Sequence, residues 1–148
     1  MKTKVLFLAL LFISFASVSF AQRLMAKTKY QIARIEETLS GYLLTNASGP
    51  ASQAYLPTAQ VMRVQNGTLV TQSATDEALA AAKTTENQQP GRIVYIDLQG
   101  TAAVARVERP SAKGPVTDFL NLLQIDGEWK VVNQVRCASS EQPTFTLK

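Results

Sequence analysis

Apolar positions along this chain change their period several times, and each change marks an element. Ile32, Ile35, Leu39, Tyr42 and Leu43 fall at three- and four-residue steps, which lines one face of a helix. Thr28-Lys29-Tyr30-Gln31 has the spacing of a capping box at its start, although Leu24-Met25-Ala26 allow an earlier beginning. Asn46, Gly49 and Pro50 end it, and Pro50 suits the first turn of a very short second helix through about Tyr55, which Pro57 stops. The period then drops to two. Val61 to Gln65 and Thr68-Leu69-Val70 flank Asn66-Gly67, a favoured two-residue hairpin turn. Ser73 to Asp76 opens an alanine-rich helix to about Thr84, and 85–91 is a polar loop.

The rest reads as strand. Ile93–Leu98 turns at Gln99-Gly100 into Thr101–Val107, a longer loop spans Pro110 to Pro115, and Val116–Ile125 turns at Asp126-Gly127 into Glu128–Arg136. Helices come first and a four-strand antiparallel meander follows, so the class is α+β.

The N-terminus has a different logic. Lys2 and Lys4 precede an almost unbroken apolar run from Val5 to Phe15, and Ser19-Phe20-Ala21 offers small residues where a signal peptidase cuts. The run is too short for a transmembrane anchor. The expected organisation is a secretory signal peptide at 1–21, one domain at 22–137 and a polar tail at 138–148. The expected location is therefore exported, periplasmic or secreted, with no membrane attachment after cleavage.

Composition narrows the chemistry. The 148 residues include no histidine and one cysteine, Cys137. This excludes Ser-His-Asp and Cys-His nucleophiles, a zinc site of imidazole or thiolate ligands, and an intrachain disulfide. The formal charge is +4, but cleavage would remove Lys2 and Lys4 and leave +2, with the basic residues scattered. A nucleic-acid surface needs a concentrated stripe, so no nucleic-acid partner is expected. No phosphate-binding glycine loop or calcium loop is present, and neither metal nor cofactor is expected.

The segment Asp118-Phe119 through Ile125-Asp126-Gly127-Glu128-Trp129-Lys130-Val131-Val132-Asn133 resembles the closing hairpin of the family described as putative lumazine-binding. That family lies within the nuclear transport factor 2-like (SnoaL-like) superfamily. Ala102–Val107 is similar to its preceding strand, and Ile35 to Tyr42 to its first helix. The resemblance implies a cone, a strongly curved antiparallel sheet wrapped around the N-terminal helix with a cavity at the open end. It also implies a frequent dimer. The superfamily includes isomerases, dehydratases, cyclases and proteins with no catalytic role, so the fold alone carries little functional weight. Its enzymes mostly use a His-Asp pair, absent here, or a tyrosine with two aspartates.

A two-residue turn at Asp126-Gly127 predicts which residues share a face. An unbroken ladder pairs Leu122 with Val131, Leu120 with Asn133 and Asp118 with Val135. The inward face then carries Asp118, Leu120, Leu122, Trp129, Val131, Asn133 and Val135. Phe119, Leu123, Ile125, Val132, Gln134 and Arg136 face outward. Polar groups on an apolar face need a partner, water or a ligand, which makes Asp118 and Asn133 candidate ligand contacts. Tyr42 approaches from the helix and Trp129 lines the same face. The leading expectation is an exported, non-catalytic domain holding a small, partly apolar molecule through Tyr42, Asp118, Trp129 and Asn133. A homodimer or interaction module using the outer sheet face is the alternative. The third reading is a cofactor-free isomerase or dehydratase, with Tyr42 and Asp118 moving a proton if the Asp118 pKa is raised.

Overall fold

A computed structural model describes residues 2–43, 53–83, 90–111 and 114–138. By its internal contacts the chain divides into residues 1–33 and 34–148. The first unit is the N-terminal part of one long helix, α1 (Lys2–Leu43). Thr28 lies inside it rather than at its start. Its hydroxyl donates to the Leu24 carbonyl at 3.0 Å, so the expected capping box does not form, and the helix-forming residues before it carry the helix through. The expected signal peptide is the opening of this same helix.

The second unit holds the end of α1, a helix α2 (Ala74–Lys83) and six strands. These are β1 (Tyr55–Gln65), β2 (Thr68–Ser73), β3 (Arg92–Gln99), β4 (Ala102–Arg109), β5 (Val116–Ile125) and β6 (Glu128–Ala138). They form one sheet in the order β2-β1-β6-β5-β4-β3. Both expected two-residue turns are present: Asn66-Gly67 and Asp126-Gly127 all have positive φ, which Asn, Asp and Gly tolerate best. The β3–β4 turn falls at Gly100-Thr101, one residue later than expected, because Gln99 pairs with Ala102. Ser73 caps α2 by accepting from the Asp76 amide at 3.3 Å.

Three features depart from the sequence reading. Tyr55 begins β1 instead of closing a short helix; only 53–54 are helical there, and 50–52 lie outside the described residues. The β1–β6 pair is parallel, whereas the other four pairings are antiparallel. It skips register between Tyr55 and Gln60, the stretch holding Pro57, which lacks an amide hydrogen. The third departure is a bulge in β6. Leu122 pairs with Val131 as expected, but Asn121 pairs with Asn133, leaving Val132 as an extra residue. The tail from 139 onward lies outside the described residues.

The core follows from the alternation. Ile35, Leu39 and Tyr42 of α1 are buried with Ala103, Ala105, Val107, Leu120, Leu122, Trp129, Val131 and Val61 of the sheet. Leu98-Ala103-Leu122-Val131-Tyr55 forms one cross-strand row on this inner face, and Ile96-Ala105-Leu120-Gln134-Val61 forms the next. The third row is Ile93-Val107-Asp118-Arg136-Arg63, and it is where charge enters the core.

Candidate functional site

Asp118 is fully buried on the inner face. An isolated carboxylate there would be costly, and the fold surrounds it with donors. Oδ2 accepts from the Tyr42 hydroxyl at 2.7 Å and from Arg109 Nε and Nη2 at 2.9 and 2.5 Å. Oδ1 accepts from Gln134 Nε2 at 2.8 Å and Arg136 Nε at 2.9 Å. Five donors from α1, β4 and β6 thus converge on one side chain of β5.

The network extends on both sides. The Tyr55 hydroxyl donates to Gln134 Oε1, and the Tyr42 and Tyr55 rings meet edge to face with centroids 6.0 Å apart. Arg109 lies over the Tyr42 ring at 5.1 Å, a cation–π contact. Arg136 also donates to Glu77 of α2, whose other oxygen accepts from Arg63 at 3.2 Å. The charged cluster therefore ties the end of α1, α2 and four strands, β1, β4, β5 and β6, together.

These partners set the ionisation states. Burial alone would raise the Asp118 carboxyl, but the Arg109 and Arg136 guanidiniums, with the Tyr42 hydroxyl, hold it below the usual carboxylate range. Burial, reinforced by the Asp118 charge, pushes the Tyr42 phenol well up. Tyr55 is raised by the same two causes. Burial disfavours the Arg136 charge, yet Asp118 outweighs it and keeps that guanidinium firmly protonated. The site is an ionised carboxylate locked against neutral phenols and charged arginines. Among the described residues, no group of three His, Cys, Asp or Glu side chains is placed to hold a metal.

The four residues expected from sequence are not brought to one place. Tyr42 and Asp118 meet directly. Asn133 does not face inward: the extra residue at Val132 turns it to the outer face, where its Oδ1 accepts from Asn121 Nδ2 at 3.3 Å. The same slip carries Val135 outward and brings Gln134 and Arg136 inward. Trp129 is buried on the inner face, but it stands at the turn end of the hairpin. Arg136 is seven positions further along β6, roughly 20 Å at strand rise. There it lines a groove of about 460 Å³ with Thr38, Gly41, Gln53 and Lys130. Sequence reasoning missed Arg109, Gln134, Arg136, Tyr55 and Glu77. Arg109 alone had a local signal, since it lies on the inward parity of β4 with Val107.

The outer face is apolar along its centre. Leu123, Ile125 and Val135 are exposed there, as are Val64 and Leu69 near the first hairpin. Met62, Val64, Leu69 and Val135 line a groove of about 700 Å³.

A helix end packed into a curved six-strand mixed sheet, with a polar cluster at the inner wall, defines the α+β cone of nuclear transport factor 2-like proteins. Within that class the chain belongs to the family described as "Putative lumazine-binding", whose match spans residues 30–135. A nuclear transport factor 2-like protein of unknown function from Shewanella baltica is similar, at 26% identity with a TM-score of 0.63, covering 73% of this chain and 93% of that one. Another, from Methylobacillus flagellatus, is 28% identical with a TM-score of 0.61, covering 72% and 90%. A third, from Silicibacter pomeroyi, shares the fold at 23% identity with a TM-score of 0.63, covering 74% and 97%. No curated protein matches the chain in sequence.

Proposed function

We propose that this chain is an exported, non-catalytic domain that binds a small, partly apolar molecule in its cone. The observation that carries the reading is the saturation of Asp118 by five donors. A carboxylate held ionised and fully bonded is a poor general base or acid, which argues against the isomerase or dehydratase reading. A rigid polar cluster fixed on a packed apolar core, with Arg109 partly exposed at its edge, is instead what orients a ligand. The family's description names lumazine, which makes it the first probe. Thermal shifts of the purified chain with lumazine and a panel of neutral and anionic aromatics test the reading. A saturable rise in Tm is expected, because a ligand of the native state stabilises it. No rise with any member up to millimolar concentration would sink it.

Export is supported by the charged and apolar pattern of residues 1–21. Mass spectrometry of protein from its native host should find Gln22 at the N-terminus, and a mass that retains 1–21 would overturn the assignment.

The apolar outer face favours a second property, self-association. It stretches across β2, β1, β6 and β5, and Arg106 lies on the same side between Tyr95 and Phe119 in the cross-strand ladder. Arg92, Arg106 and Glu108 add both signs of charge, which a face must carry to pair with its own copy. A homodimer through this face is the partner we propose.

A further inference from the structure

We infer that Arg109 is the anchor for a carboxylate on the bound molecule, a fixed guanidinium with one edge held by Asp118 and its end left for the ligand. This rests on the small-molecule-binding reading above and names the chemistry of the ligand at that site. The Nε and Nη2 atoms of Arg109 both point at Asp118 Oδ2, at 2.9 and 2.5 Å. That uses one edge of the planar fork. Nη1 and the remaining hydrogen of Nη2 form the end of the fork, and no bond to a described residue engages Nη1. The side chain is 24% exposed, so it is open to solvent in part, unlike its fully buried partner Asp118.

Two further contacts hold the group still. Its face rests over the Tyr42 ring at 5.1 Å. Its stem passes Gly91 so closely that a Cβ at 91 would lie 2.6 Å from Arg109 Cγ and 3.0 Å from the Glu108 carbonyl oxygen. A side chain at 91 would displace the stem or the backbone. An arginine clamped at its stem, face and one edge has already given up the rotamer freedom that binding normally costs.

Charge points the same way. Among the described residues of this cluster, three guanidiniums, Arg63, Arg109 and Arg136, meet two carboxylates, Glu77 and Asp118. Arg63 and Arg136 are both tied to Glu77, whereas the one described carboxylate on Arg109 is Asp118, which it shares with Arg136. Among these residues one positive charge is in surplus, and a ligand anion would balance it. The parallel N–H pair at the fork's end fits the two oxygens of a carboxylate.

The test is a titration of the full chain followed through the Arg109 Nε–H resonance, assigned in the wild type through bond correlations along the side chain. Benzoate, its neutral analogue benzamide and inorganic phosphate are the probes. Benzoate is expected to move the resonance saturably. Benzamide at equal concentration should move it less than a tenth as far, and phosphate should need at least ten-fold more. Arg109→Lys, which keeps charge but loses the fork, should weaken benzoate binding at least ten-fold; the wild-type titration decides the matter even if that variant folds poorly. No benzoate shift, or an equal benzamide shift, overturns the inference. Phosphate as effective as benzoate overturns the carboxylate assignment. If lumazine or a neutral aromatic still raises Tm when benzoate fails, only this inference falls; if every probe fails, the binding reading falls with it.

Discussion

Tyr42 donates its hydroxyl to Asp118 at 2.7 Å, joining the last turn of α1 to a strand 76 residues later in the chain. A neutral donor bonded to a buried charge is among the stronger single contacts a fold has. Tyr42→Phe keeps the edge-to-face ring packing and the surface beneath Arg109 while deleting this bond. We expect a loss of about 1.5–3 kcal/mol, read from urea unfolding midpoints at constant m. A change under about 0.5 kcal/mol would mean that the remaining donors compensate fully.

Asp118→Asn should be worse, because Arg109 and Arg136 would lose their shared anion. Breaking a buried charge pair from one side costs about 3–5 kcal/mol. The pH dependence follows. The folded Asp118 carboxyl is held below its ordinary value near ~4, so its contribution is fully present above that pH. It is lost as pH falls through the lower folded value. Glu108, lowered by its bond to Arg92, acts in the same direction, so Asp118→Asn should flatten the acid limb of a stability–pH curve without abolishing it.

At the alkaline end the sign reverses. Burial raises the Tyr42 and Tyr55 phenols, so their contribution is complete below about pH 10 and is lost as pH climbs through the folded values. Tyr55→Phe should lessen the fall in Tm above that pH. Spectrophotometric titration should show two tyrosines ionising only on unfolding; normal titration of all of them would contradict the buried network.

Deletion of Val132 would remove the bulge yet keep Asn121 opposite Asn133 and Asp118 opposite Arg136, so the donors around Asp118 would stay in register. The expected result in urea unfolding is a transition that remains cooperative but has a lower midpoint, because the bend that the extra residue gives the sheet is lost. Asn133→Ala, on the outer face, should cost under about 1 kcal/mol. Trp129→Ala should cost about 3–5 kcal/mol, since the ring is buried at the other end of the sheet.

Sedimentation of the purified chain should show a dimer weakened by Leu123→Lys, with the far-UV spectrum unchanged. A monomer at high micromolar concentration would mean that the exposed apolar row is simply tolerated.

The residues themselves determined the order of elements, because period and turn chemistry are local. The Ile35-Leu39-Tyr42 stripe, the Ser73 cap and the positive-φ pairs Asn66-Gly67 and Asp126-Gly127 each act within a few positions. The same turn also placed Asp118 inward, since the ladder holds from Ile125 to Leu122 and alternation along β5 carries it on to Asp118. What surrounds Asp118 was decided by the tertiary structure. An extra residue at Val132 has no sequence signature, as it is defined only against the partner strand and by the bend it gives the sheet. That one residue exchanges Asn133 for Gln134 and brings Arg136 to the carboxylate. The parallel β1–β6 pairing matches Gln60 with Asn133 across the length of the domain, and so sets Tyr55 and Arg63 beside the cluster. No local preference fixes such a pairing; the need to bury both strands against α1 and to balance charges far apart in sequence does.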